Sequence, residues 1–325
     1  MKSDSDHARH LLEKYGGGVD DFFKLWPVDK EYYFSPDGKA FLAYAVNRQV
    51  AVCLFDPVGP EKSVEALLTA FDSECRSRGR RVIFIQTTGK FAAAYRAQNW
   101  RRLRIGADAV VDVHEFTTRT VRNKYFRNIV NRFEKAGYTA ERAVAPHSPK
   151  LLAELRHVSN DWLKLPRHQE WQFLTGRFDA EYLQACNLFI LRRPNGRAEA
   201  FVTELPIYNG GHLGSIDLIR HRRDAAPNGI DFLLIRLIQR LERDGVAAFN
   251  LGMSPLDGWP AKKSNLDRIV WLFYRAFAGW LRFRGLHQFK NKYRPTWEPR
   301  YVWLSGSLWR IPQTGRAIFE LMGHK

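Results

Sequence analysis

The apolar positions of the first hundred residues switch between two periods. Leu11, Leu12, Tyr15, Phe22, Phe23 and Leu25 give residues 11–30 a helical look, broken by Gly16-Gly17-Gly18. Tyr32-Tyr33-Phe34 then runs into Ser35-Pro36-Asp37-Gly38, and residues 40–46 alternate. Asn47-Arg48 returns the chain into an apolar run at 50–55, so the stretch predicts strands joined by tight turns. Asp56-Pro57-Val58-Gly59-Pro60 excludes regular structure, because proline fixes φ and lacks a backbone N–H. Val64, Leu67, Leu68 and Phe71 predict a helix over 62–78. A buried strand at 82–86, a helix at 91–98 and a strand near 109–113 follow.

One segment then stands apart. Residues 119–135 predict a helix with Phe126, Ile129, Val130 and Phe133 on one face. Its remaining positions carry Arg119, Arg122, Lys124, Arg127, Arg132 and Lys135 against Glu134 alone. A merely solvated face would mix signs, so this one predicts a polyanion track. After Gly137 come a helix at 148–164, an irregular stretch at 165–175 that reads as a flap, and a short helix at 179–185. Strands at 187–191, 199–206 and 212–219 are separated by Pro194-Asn195-Gly196 and Tyr208-Asn209-Gly210-Gly211. An apolar helix to about 243, a strand at 247–251 and a long helix at 268–283 complete the pattern. Antiparallel strands, then a helix, then a strand thus occur twice, without identity between the halves. The fold class is α/β (α+β).

Composition adds a core and a charge. At 45% hydrophobic and 14% aromatic, the chain of 325 residues is no disordered segment. Lys and Arg number 51 against 34 Asp and Glu, a net charge of +17, which points to polyanionic or anionic partners. Cys53, Cys75 and Cys186 are odd in number and far apart, which suggests buried thiols in a reducing compartment. The N-terminus has no apolar signal core, and no run approaches a membrane span.

Candidate chemistry concentrates in residues 214–229. Asp217 stands on a strand between apolar neighbours, Arg220, Arg222 and Arg223 crowd the loop, and Pro227-Asn228-Gly229 opens a helix. A strand end, cations and a helix N-terminus together suit an anion, and a carboxylate among them is a candidate for proton chemistry. A solvated turn explains the same spacing equally well. Between 282 and 300, Arg282, Arg284, Lys290, Lys292, Arg294 and Arg300 face Glu298 alone, with Phe289, Tyr293 and Trp297 four residues apart. That mixture suits either a nucleic-acid end or an aromatic core face with snorkelling lysines. Walker, GxGxxG, HExxH, GxSxG and zinc-type patterns are missing. An enzyme built from these residues would work by positioning and electrostatics, without metal or other cofactor.

Several motifs in order resemble the soluble catalytic domain of the aminoacyl-phosphatidylglycerol synthases, the multiple peptide resistance factors. They are Tyr33-Phe34-Ser35-Pro36-Asp37-Gly38-Lys39-Ala40-Phe41, Asp56-Pro57-Val58-Gly59-Pro60, Phe133-Glu134-Lys135-Ala136-Gly137-Tyr138 and Gly176-Arg177-Phe178-Asp179. Ser215-Ile216-Asp217-Leu218, Pro227-Asn228-Gly229, Phe249-Asn250-Leu251-Gly252-Met253-Ser254-Pro255-Leu256, Phe289-Lys290-Asn291-Lys292-Tyr293 and Trp297-Glu298-Pro299-Arg300-Tyr301 continue the series. Residues 166–175 depart from the Gly/Lys-rich run expected before Gly-Arg-Phe.

The resemblance implies tandem acetyltransferase-like (GNAT) modules: residues 1–118, a basic connecting helix at 119–136, and a catalytic module at 137–325. It implies transfer of a lysyl or alanyl group from aminoacyl-tRNA to phosphatidylglycerol, with the tRNA as co-substrate. The product would lower membrane negative charge and give resistance to cationic antimicrobials. The domain would work at the inner face of the bacterial membrane, as a short form or as part of a larger membrane protein. Asp217, Arg220 and Lys292 carry over as catalytic residues, with Ser215, Asn228, Tyr293, Arg122 and Arg127 as substrate-binding residues. Glu204 and Asp257 are candidate acids for a lysyl pocket. Two alternatives are a CoA-dependent acyltransferase, using a degenerate pyrophosphate loop at 222–229, and a tRNA-binding module without catalysis.

Overall fold

The computed structural model describes residues 2–26, 29–166, 168–208, 210–255, 283–306 and 311–323. Helix α1 (Lys2–Tyr15) stops at the three glycines, and only Phe22–Leu25 (α2) is helical beyond them. The helical look of residues 11–30 is therefore cut short where glycine backbone entropy opposes a helix. The expected strands form as β1 (Glu31–Phe34), β2 (Phe41–Asn47) and β3 (Val50–Leu54). Helix α3 (Glu61–Ser77), β4 (Arg81–Thr87) and α4 (Ala92–Ala97) follow near their expected bounds.

Strand β5 (Arg101–Asp112) starts well before its expected position and leads into α5 (Val113–Thr118). A 3-10 turn at Thr120–Arg122 comes next, and the basic helix proper, α6, is Lys124–Lys135. Asn123 restarts it, its side chain accepting from the Phe126 N–H. Then come β6 (Thr139–Ala143), α7 (Pro149–Leu163), α8 (Ala180–Gln184), β7 (Asn187–Arg192), β8 (Ala198–Glu204) and β9 (Leu213–His221). Helix α9 (Gly229–Arg243) and β10 (Ala248–Pro255) lead to α10 (Phe283–Asn291), β11 (Thr296–Leu304) and α11 (Ile311–Met322). The long helix expected at 268–283 lies outside the described residues, except for Phe283, where α10 begins.

One eleven-stranded sheet runs in the order β1-β2-β3-β4-β11-β5-β10-β9-β8-β7-β6. Its parallel pairs are β3 with β4 and β9 with β10, bridged by α3 and α9, since parallel pairing needs a crossover. The pattern β1-β2-β3-β4 recurs as β7-β8-β9-β10, the repeat expected of tandem modules. The tail crosses the expected boundary: β11 pairs with β4 and β5, and Asn47 of β2 donates to the Ala317 carbonyl of α11. Strand β11 and helix α11 therefore complete the first half rather than the second. A long sheet can accept a distant strand into its middle, which no local pattern reports.

The basic helix docks as its apolar stripe requires. Phe126, Ile129 and Phe133 join Phe232, Leu233 and Leu237 of α9 in one core cluster. Cys53, Cys75 and Cys186 are buried and unpaired.

Candidate active site

A gap opens where β9 leaves β10. The two strands pair only over Leu213–Ser215 against Ala248–Asn250. Past Asn250, β10 bulges and shifts its register against β5. The Asn250 amide donates to Asp108 and accepts from the Gly252 N–H, and Gly252 takes φ +84°. The freed Gly252 and Met253 carbonyls accept from the Lys290 ammonium at 2.8 and 2.9 Å. Burial pulls Lys290 down to about 8. The motif from Phe249 to Met253 is thus a bulge that bends β10 away from β9.

Asp217 is two residues past the last paired residue, Ser215. One oxygen, Oδ2, accepts both hydrogen bonds it receives from described residues: the Gly176 N–H at 2.7 Å and the Tyr182 hydroxyl at 2.5 Å. Only glycine suits position 176, because a Cβ there would stand 2.2 Å from the Tyr182 ring and 2.5 Å from the Asp217 carboxylate. Burial raises the Asp217 carboxyl to about 6, against the opposing pull of these hydrogen bonds and Arg220; Glu170 adds to the rise. Arg220 is 4% exposed. Its guanidinium carbon lies 3.6 Å from the Trp162 ring centre, and Nη2 donates to Glu170 at 2.8 Å. Its Nε is buried without a partner.

Lys292 lies elsewhere. Its ammonium is 2.7 and 2.9 Å from the Asp231 oxygens and 3.0 Å from the Tyr125 hydroxyl. It lines a cleft of about 360 Å³ with Asn228, Gly229 and Phe289. Asp217 and Arg220 contact α8, α7 and the flap, whereas Lys292 contacts α6 and α9. No hydrogen bond or ion pair among the described residues joins Lys292 to the other two. The three residues expected to form one site therefore occupy two regions.

The other expected binding residues divide similarly. Arg122 and Arg127 are exposed, with no carboxylate in ion-pair range among the described residues. Ser215 is buried, and its hydroxyl donates to the Asn250 carbonyl across the parallel pair. Tyr293 is 1% exposed, packs on Phe116, Phe126 and Phe289, and donates to Asp231. It belongs to the core, so of the two readings of the tail aromatics, packing describes this residue. Trp297 stacks on His287. Asn228 takes φ +68° and ties the α9 start to Tyr125 and Arg132. Glu204 is bound bidentately by Arg142 at 2.7 Å, which removes it as a free acid for a lysyl group. Asp257 lies outside the described residues.

The start of α9 is also filled from within. Glu199, 0% exposed, accepts from the Ala226 N–H at 2.8 Å and pairs with Arg193. A pyrophosphate on this loop would meet a buried carboxylate, which counts against a CoA site here. The sequence reading missed Gly176 and Tyr182 as neighbours of Asp217, and Glu170 and Trp162 as partners of Arg220. Gly176 left a trace in the Gly176-Arg177-Phe178-Asp179 motif, and Glu170 in the departure of residues 166–175 from the family's pattern.

A family model described as phosphatidylglycerol lysyltransferase, C-terminal, matches residues 9–304. The phosphatidylglycerol lysyltransferase of Bacillus subtilis (strain 168) is 32% identical over 304 residues, covering 93% of this chain and 35% of that protein. Its counterpart in Staphylococcus aureus (strain MRSA252) is 29% identical over 329 residues, covering 100% and 38%. The chain therefore spans little more than a third of these curated relatives. The solved structure of L-PGS from Bacillus licheniformis is 31% identical and superposes with a TM-score of 0.86, covering 98% of this chain and 97% of that one. Among the described residues no helix is long and apolar enough to cross a membrane. With the match running through the bulge of β10, the Asp217 strand and the tail, the chain belongs to the family of phosphatidylglycerol lysyltransferase C-terminal domains.

Proposed function

We propose that this domain transfers an aminoacyl group from aminoacyl-tRNA to a glycerol hydroxyl of phosphatidylglycerol. Asp217 carries the reading: a half-buried carboxylate with a raised pKa, in the gap between splayed parallel strands, in a chain whose relatives are named phosphatidylglycerol lysyltransferase. Asp217 takes the proton from the lipid hydroxyl as its oxygen attacks the aminoacyl carbonyl. A new ester bond forms, the ester bond to the ribose breaks, and the ribose oxygen leaves with the proton that Asp217 took from the lipid hydroxyl. One ester replaces another, so no ATP is consumed. Arg220, held on Trp162, receives a substrate phosphate in place of Glu170. Lys292, in the α9 cleft, adds countercharge toward the anionic substrates. The exposed cations of α6 bear the tRNA phosphates.

Each transfer adds a cationic ammonium to an anionic lipid, which lowers membrane negative charge and would blunt cationic antimicrobials. The domain would act at the inner membrane face, where lipid and tRNA meet. The test is incubation with labelled lysyl- and alanyl-tRNA and phosphatidylglycerol vesicles, followed by lipid chromatography. A labelled lipid is expected, less of it at high salt, and less again with Arg122→Glu and Arg127→Glu together. Binding of tRNA without lipid product would replace the reading with a non-catalytic one.

A further inference from the structure

Of the three arginines at the end of β9, Arg220 pairs with Glu170 and Arg223 with Asp161. Arg222 pairs with no carboxylate among the described residues, although it is 7% exposed. Its Nε donates to the Ala198 carbonyl at 2.8 Å, which fixes the guanidinium. No described residue accepts from its outer nitrogens. Arginine is seldom buried without a counterion, because the lost hydration is not recovered. Arg222 lines a cleft of about 490 Å³ with Asp161, Arg197, Arg223 and Asp224. Arg197 is exposed and also lacks a carboxylate partner among the described residues. The carboxylates nearby are engaged: Asp161 by Arg223, Asp224 by Arg193, and Glu154 by Arg192. Two guanidiniums without counterions thus share one cleft, and one of them is locked in place. This is a fork for phosphate oxygens.

The surroundings favour a nucleic acid. All five lining residues are charged, and three of them are arginines, which suits a phosphate. The loop that carries Arg222 also reaches α6, where Arg132 bonds the Pro227 carbonyl and the Asn228 side chain. Beyond Arg132 stand the exposed cations Arg122, Lys124, Arg127 and Lys135. We propose that Arg197, Arg222 and Arg223 bind a backbone phosphate of an RNA strand that continues along α6. This rests on the reading that the donor is a tRNA, and it adds a phosphate site separate from Arg220 and from the filled α9 start.

The probe is a labelled acceptor-stem RNA hairpin with a single-stranded end, titrated against the whole chain between about 50 and 200 mM salt. Arg197→Ala, at an exposed position, and Arg222→Gln should each weaken binding about three- to tenfold and flatten the salt slope by about one. Unfolding transitions check Arg222→Gln, and Arg197→Ala decides if that variant is unstable. Unchanged affinity and slope in Arg197→Ala would overturn the site. So would intact RNA binding with lost binding to phosphatidylglycerol vesicles, which would assign the cleft to a lipid headgroup. If the wild type binds the hairpin with these losses but makes no aminoacyl lipid, the cleft stands and the transfer reading fails. If lipid is made while Arg197→Ala binds RNA normally, the cleft alone fails.

Discussion

The two halves of the sheet place a carboxylate at the same point and use it differently. In each, the residue two positions past the last parallel pair is an aspartate: Asp56 after Leu54 in β3, and Asp217 after Ser215 in β9. Each accepts a tyrosine hydroxyl, from Tyr95 and Tyr182. Asp56 also accepts the Thr88 N–H and hydroxyl at 2.8 and 2.6 Å, and Thr88 directly follows β4. It stitches the two strand ends together. Asp217 reaches no described residue of β10; its backbone donor comes from Gly176 after the flap, and its charged neighbours are Arg220 and Glu170. The bulge at Gly252 makes the difference, by moving the β10 end out of reach. Equal positions in a repeated fold thus yield a clamp in one half and, in the other, a half-buried carboxylate with a raised pKa, the proposed base.

The largest test of this contrast is Asp217→Asn. It keeps the shape but cannot take a proton, so lipid aminoacylation should fall about 100-fold or more with the fold intact. A near-normal rate would remove Asp217 from the chemistry. The pH dependence comes next. With the carboxyl at about 6, the rate should drop about tenfold per unit below that value and level off above it. The sign for stability is opposite. The folded state keeps the Asp217 proton after the unfolded chain has released it, so the contribution of this group to stability is fullest below about pH 4 and declines from there to about 6. Asp20, also raised to about 6 by burial, adds a decline of the same sign. Unfolding of wild type and Asp217→Asn across this range should show a shallower decline in the variant; equal slopes would contradict the assignment. The smallest effect belongs to Asp56→Asn, which weakens the clamp. About 1–3 kcal/mol of stability should be lost in denaturant unfolding. Activity per folded molecule should stay near normal; a loss as deep as that of Asp217→Asn would erase the distinction between the halves.

How much of this was legible depends on the range of the interaction. The apolar spacing of Val64, Leu67, Leu68 and Phe71 reports a helix, because neighbours on one helix face are three and four residues apart. Phe126, Ile129 and Phe133 likewise predicted the buried stripe of α6, and the cations around them proved exposed. Asp217 stood out as a lone acid on an apolar strand. Its partners did not: Gly176 and Tyr182 lie 41 and 35 residues away, and nothing local marks a glycine that must admit a carboxylate.

By itself the sequence determined the order of strands and helices, the excess of cations and their concentration on α6, and the motifs that place the chain in its family. These are properties of short windows or of totals, set by side-chain period and charge. Tertiary structure alone decided that β11 closes the first half, that Glu170 rests on Arg220, that Tyr293 is core, and that Lys292 lies apart from Asp217. A buried charge takes whichever partner the packing of distant segments brings within about 3 Å, and that choice leaves no period in the chain.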